Sequence, residues 1–192
     1  MPLHERAADN LQFIRETMAR TTAFTAVPGK AGMAMGVVAV VVALLAHRAR
    51  AQGTRSWLTV WLVGLAVGLV LGVVGILRKA RRHETSLFTG AARKFVLSLC
   101  PALLAGALLT VSFGRWGLAY ALPGVWMLLY GAGVTTGGAF SIRLIPLLGG
   151  LFMVSGAVTL FLPVEFGDLM MAVSFGGLHM VFGAVVARRY GG

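Results

Sequence analysis

Apolar residues fall into six long runs, separated by short links that are charged or punctuated by Gly and Pro. A helix needs about 20 mostly apolar residues to cross the hydrocarbon core of a bilayer. The runs near 31–46, 57–77, 95–113, 118–138, 144–163 and 168–187 fit that requirement, the first with help from a snorkelling Lys30. No link is long enough to hold a soluble domain, so residues 29–192 read as one six-helix transmembrane bundle. Upstream, Leu3, Ala7, Leu11, Ile14 and Met18 share one helical stripe, while Glu5, Asp9, Gln12, Glu16 and Arg20 lie elsewhere. Pro28-Gly29 then breaks the chain. Residues 1–28 are therefore expected to form an amphipathic helix that lies on the inner leaflet or docks a cytoplasmic partner. The fold class is all-α and polytopic.

Composition agrees with this pattern: 58% of the 192 residues are hydrophobic, 12% are charged, and the mean hydropathy is +0.85. A soluble domain carries about twice that charged fraction. The net charge is +11, with 14 Arg among 17 basic residues, as in proteins from GC-rich bacterial genomes. Charge then sets orientation. With the N-terminus inside, thirteen Lys and Arg fall in inner segments and four (Arg48, Arg50, Arg55, Arg115) in outer loops. Glu165 and Asp168 fall in the last outer loop, and Trp57, Trp61, Trp116 and Tyr120 supply an outer aromatic belt. The expectation is an N-in, C-in protein of the bacterial inner membrane. Ala49-Arg50-Ala51 has the shape of a signal-peptidase site, but the long acidic segment ahead and the crowding arginines favour a retained first span.

The inner loop 78–94 carries Arg78, Lys79, Arg81, Arg82, Arg93 and Lys94 against one Glu. Such a cluster attracts anionic headgroups. No aromatics are interleaved for base stacking, so nucleic acid is not the expected partner.

Glycines contribute packing signals. Gly64, Gly68, Gly72 and the nearby Gly75 form a ridge on the second span, Gly32 and Gly36 repeat the spacing on the first, and Gly149 and Gly156 sit a heptad apart on the fifth. Small residues at such spacing let helices approach closely, within one chain or across a homodimer. One internal similarity stands out: Gly124-Val125-Trp126-Met127 with Tyr130-Gly131-Ala132 matches Gly177-Leu178-His179-Met180 with Phe182-Gly183-Ala184, one residue shorter. A duplicated hairpin would produce it.

Ionisable groups inside a membrane are expensive, and this chain has few. No Asp or Glu falls inside a predicted span, which argues against ion-coupled carriers, proton channels and pumps. His179 is the exception. Ala172, Gly176 and Gly183 form a small-residue face beside it, so its imidazole is expected to meet another helix. There it either bonds a carbonyl or hydroxyl for packing, or binds a ligand. Haem is not expected, because His4, His47 and His83 lie at or beyond the membrane edges. On the fourth span, Pro123-Gly124 is expected to kink the helix, with Trp126, Tyr130, Gly133 and Gly137 on one face. Thr135, Thr136 and Ser141 add hydroxyls toward the inner end, and Arg143 closes the turn. The candidate ligand-binding set is therefore His179, Trp126, Tyr130, Thr135, Thr136 and Arg143, with no metal and no cofactor. The lone Cys100 lies in the third span and cannot form an intramolecular disulfide.

Six spans with a histidine in the last resemble rhomboid-type intramembrane serine proteases. Their fourth span, however, carries a serine in GxSG, and here it reads YGAGVTTGGAFS; the nearest Ser-Gly, Ser155-Gly156, lies in the fifth span. Without a nucleophile the histidine has nothing to activate. Six helices in about 20 kDa also resemble, in architecture alone, the membrane-embedded substrate-binding components of energy-coupling-factor vitamin transporters. As a whole the chain resembles small polytopic proteins of bacterial inner membranes, which implies no activity. The expected function is a non-catalytic membrane component that binds a small apolar or aromatic ligand or a protein partner. The alternatives are a substrate-binding subunit energised by a separate ATPase and, further off, an intramembrane hydrolase.

Overall fold

The computed structural model describes residues 28–82, 90–139 and 141–190, so the expected amphipathic segment and the centre of the basic loop lie outside the described residues. The described chain is all-helical. Six helices follow in order: α1 (Gly29–Ala49), α2 (Thr54–Arg82), α3 (Gly90–Trp116), α4 (Leu122–Gly138), α5 (Leu144–Phe161) and α6 (Val164–Tyr190). All but α4 are long and apolar enough to cross a bilayer. α4 has 17 residues and is extended at its start by a 3-10 turn, Ala119–Ala121. Large apolar side chains such as Leu44, Leu104, Leu108, Val111 and Val154 point outward. That inside-out surface is compatible with a multi-pass membrane protein.

Two antiparallel glycine seams hold the bundle together. In one, Gly29 of α1 faces Gly183 of α6 and Gly36 faces Gly176. In the other, Gly124 of α4 faces Gly156 of α5 and Gly131 faces Gly149. Within each helix the two glycines are seven residues apart, which is two turns. A Cβ on Gly36 would stand 2.6 Å from the Gly176 carbonyl oxygen, and one on Gly131 would stand 2.6 Å from that of Gly149. Each glycine also abuts the residue four positions after its partner, as Gly156 does Leu128 and Gly183 does Met33. Both seams follow one contact rule. Where lipid is as apolar as leucine, such close backbone approach is what draws helices together.

The seams include glycines from both segments of the internal similarity. By their place in the seams, Gly124 and Gly131 correspond to Gly176 and Gly183. The seam partner of α6 is α1, from the far end of the described chain, whereas that of α4 is the adjacent α5. The ridge on α2 divides: Gly64 meets Val42, Gly72 lies near Met35, Gly75 meets Pro28 and Ala31, and Gly68 meets nothing.

Two expectations are overturned locally. Pro123 sits in the first turn of α4 and starts that helix instead of kinking it, because a first-turn residue needs no amide hydrogen. Trp57 and Trp61 are buried, not part of a lipid-facing belt, whereas Trp116 and Tyr120 are exposed.

Candidate functional site

A cavity of about 370 Å³ lies in the bundle among α1, α2, α3, α4 and α6. The seams create it. They draw α1 to α6 and α4 to α5, and α2 and α3 each follow one neighbour, α1 and α4 respectively. Between themselves, α2 and α3 make at most marginal contact among the described residues, and the cavity opens there. Its walls are apolar except at Trp61, Thr110, Trp126, Tyr130 and His179. Exposed Leu62, Leu65, Leu69 and Ala107 form the rim on this side.

His179 is buried and bonded through both ring nitrogens. Nδ1 lies 3.0 Å from the Phe175 carbonyl oxygen, and Nε2 lies 2.8 Å from the Tyr130 hydroxyl. A carbonyl only accepts, so Nδ1 carries the hydrogen. Among the described residues no carboxylate lines the cavity to balance an imidazolium, so the ring is neutral, Nε2 accepts, and Tyr130 donates. Phe152 of α5 lies under this pair, its ring centroid 4.8 Å from Tyr130 and 5.3 Å from His179, both edge-to-face. Phe175 completes the cluster at 4.8 Å from Phe152.

The backbone here is unusual. Residues Ala172–Leu178 form a π-helical stretch immediately before His179. Four-residue steps on an α-helix overshoot a full turn by about 40°. The wider π turn offsets that drift, so Met171, Phe175 and His179 all reach the cavity.

Beyond the cavity, at the end of the bundle that holds the α1–α2 link, lies a polar clamp absent from the sequence-based site. Asp168 is 3% exposed. Its Oδ1 accepts from the Trp57 indole N–H at 2.7 Å and from that of Trp61 at 3.1 Å, and its Oδ2 accepts from Arg50 Nε at 3.0 Å. The Arg50 guanidinium lies 5.0 Å over the Trp57 ring, which stacks on Trp126 at 5.7 Å. Trp126 donates to Thr110 Oγ1 at 2.8 Å, and Thr110 donates to the Gly106 carbonyl at 2.7 Å. The clamp thus ties the α1–α2 link, α2 and α6 together, and the tryptophan stack continues it to α4 and α3.

Against the expectation that no carboxylate falls inside a span, Glu165 and Asp168 both lie in the first turns of α6, a helix long and apolar enough to cross a membrane. The available signal for Asp168 was three well-placed donors: Arg50, and Trp57 and Trp61 four apart on one helix face.

Of the six candidate ligand residues, Trp126, Tyr130 and His179 line the cavity. Thr135, Thr136 and Arg143 stand outside it. Thr135 packs against Gly149, Thr136 bonds back to the Ala132 carbonyl at 2.8 Å, and Arg143 is exposed at the start of α5. In the basic loop, Arg78, Arg81, Arg93 and Lys94 are exposed. Lys79 is not: it is 7% exposed and donates to the Tyr190 carbonyl at 3.0 Å, satisfying the C-terminal end of α6. Among the described residues no three His, Cys, Asp or Glu side chains gather as metal ligands. No family model matches the chain, and no curated protein or solved structure shows significant similarity to it.

Proposed function

We propose that this chain is a six-span bacterial inner-membrane component, N-in and C-in, that binds a small apolar ligand between its helices without chemical conversion. One observation carries the reading: an apolar cavity of about 370 Å³ that opens sideways between α2 and α3. Its size falls within the range of small-molecule sites. Its polar side chains are few and converge from α2, α3, α4 and α6. Catalysis is not favoured by the same geometry, because the partners of His179 are Tyr130 and the Phe175 carbonyl, and no serine, threonine or cysteine bonds it.

In the proposed orientation the Asp168 clamp closes the outer end of the cavity. The exposed Arg78, Arg81, Arg93 and Lys94 then face the anionic headgroups of the inner leaflet. The α4 helix, shortest of the six, is sheltered by α3 and α5 and completes the sixth crossing with its 3-10 turn.

The test is native mass spectrometry of the protein released from bilayer nanodiscs, wild type beside Gly68→Phe. Gly68 lines the cavity and a side chain there meets open space, so phenylalanine fills the volume without disturbing a seam. The expected result is a bound apolar molecule on the wild type that is missing from the variant. Equal occupancy of both proteins, or none on either, defeats the reading.

A further inference from the structure

The hydrogens on the cavity wall have all been used. Among the described residues five lining side chains carry a polar hydrogen: Trp61, Thr110, Trp126, Tyr130 and His179. Trp61 gives its hydrogen to Asp168, Thr110 to the Gly106 carbonyl and Trp126 to Thr110. Tyr130 gives its own to His179, and His179 to the Phe175 carbonyl. What remains is acceptor capacity. A hydroxyl oxygen has two lone pairs, so Thr110 keeps one after receiving Trp126, and the Tyr130 oxygen keeps its own. Among the described residues the wall bears no cation either, for Arg50 is committed to Asp168 on the far side of the tryptophans.

From this accounting we infer that the cavity selects a neutral membrane-dissolved lipid alcohol, whose hydroxyl donates to Tyr130 or Thr110 while its chain lies against α2 and α3. The inference rests on the ligand-binding reading above and names the ligand's chemistry. A carboxylate or phosphate would be buried with no donor and no counter-charge, which is costly. A ketone, ester or ether offers only acceptors and would face acceptors. An alcohol alone among these groups both tolerates the apolar walls and meets the free lone pairs. The route in is lateral. The end nearest the α1–α2 link is closed by Asp168, Trp57, Trp61 and Arg50, whereas the α2–α3 side is rimmed by exposed leucines. A ligand therefore arrives from the hydrocarbon phase.

The experiment uses three diazirine-bearing long-chain probes of equal length, an alcohol, its methyl ether and its carboxylic acid, photolysed with the full chain in nanodiscs at neutral pH. Labelled residues are mapped by peptide mass spectrometry, with Gly68→Phe as the blocked control. One neutral hydrogen bond predicts that the alcohol labels cavity residues about two- to tenfold more than the ether, with the acid lowest. In Tyr130→Phe combined with Thr110→Val and His179→Phe, which also removes the ring nitrogen that Tyr130 would leave free, the alcohol and the ether are expected to label equally. Equal labelling of wild type by all three probes, blocked in Gly68→Phe, overturns the alcohol assignment and leaves the ligand-binding reading standing. No labelling, or labelling indifferent to Gly68→Phe, overturns both. The wild-type comparison decides the matter even where the triple variant does not fold.

Discussion

The glycine seams and the α2–α3 gap are built from the same residue type with opposite results. On α5, Gly149 lies so close to α4 that a Cβ would stand 2.5 Å from the Thr135 amide nitrogen and 2.7 Å from the Gly131 carbonyl oxygen. On α2, a Cβ added to Gly68 would meet nothing within 4 Å. In the seams the missing side chain lets two backbones meet. In the gap it leaves room. Glycine is permissive in both places, and the helix opposite decides whether that permission is used for contact or for space. The seams fix four of the six helices, and the cavity remains where the other two are not drawn together.

The largest effect should follow from putting one methyl into a seam. In Gly149→Ala the new carbon meets backbone atoms of α4, which no rotamer change can move aside. The helices must separate, at a cost of about 3 kcal/mol or more. Gly150→Ala, the adjacent position, adds a methyl that meets nothing within 4 Å and should be at least as stable as wild type. Equilibrium unfolding in detergent measures both. Equal stability of the two variants would break the distinction between contact and space.

Next in size is the clamp. Asp168→Ala removes the acceptor shared by Trp57, Trp61 and Arg50 at once. Losing one member of a buried ion pair costs about 3–5 kcal/mol. Arg50 keeps 31% exposure, so partial hydration should reduce the loss to about 2–3 kcal/mol. As Trp57 and Trp61 gain water, the fluorescence emission should move to longer wavelength. Asp168→Asn retains an acceptor oxygen and should lose about half as much.

Much of the seam was legible in sequence, and little of the clamp. Hydrophobic runs place the helices to within a few residues because the length of an apolar stretch is a local property. The heptad glycines Gly149 and Gly156, and the match between α4 and α6, were visible for the same reason. Which helix each glycine would meet was not, since α1 pairs with α6 across most of the described chain. Asp168 was read as a loop residue because burial of a carboxylate depends on donors about a hundred residues away. The basic cluster points Lys79 toward anionic headgroups, but its partner is the Tyr190 carbonyl at the end of α6, which only the fold brings near. His179 stood out alone, because a histidine among apolar residues is conspicuous, but Tyr130 became its partner only through the packing of α4 on α6.

Between the clamp and the gap lies the Tyr130–His179 pair. Tyr130→Phe leaves His179 Nε2 without its donor, and hydrogen bonds between membrane helices average about 0.6 kcal/mol. A loss near 1 kcal/mol is expected, since the stranded nitrogen stays buried. Thermal unfolding of the variant in nanodiscs checks it. A loss as large as that of Asp168→Ala would make this pair a structural staple comparable with the clamp and not a modest part of the cavity wall.

The smallest stability change, and the sharpest separation of the two roles of glycine, belongs to Gly68→Ala. Mid-helix, alanine is favoured over glycine by about 0.5–1 kcal/mol because it restricts the unfolded backbone. With no atom within 4 Å to resist the methyl, α2 should keep that gain, so stability should hold or rise slightly. The methyl nevertheless projects into the cavity, and photolabelling by the lipid alcohol should fall. A seam glycine changed in the same way would lose stability and binding together. Gly68→Ala should lose binding alone, because the space it occupies belongs to the ligand and to no other helix.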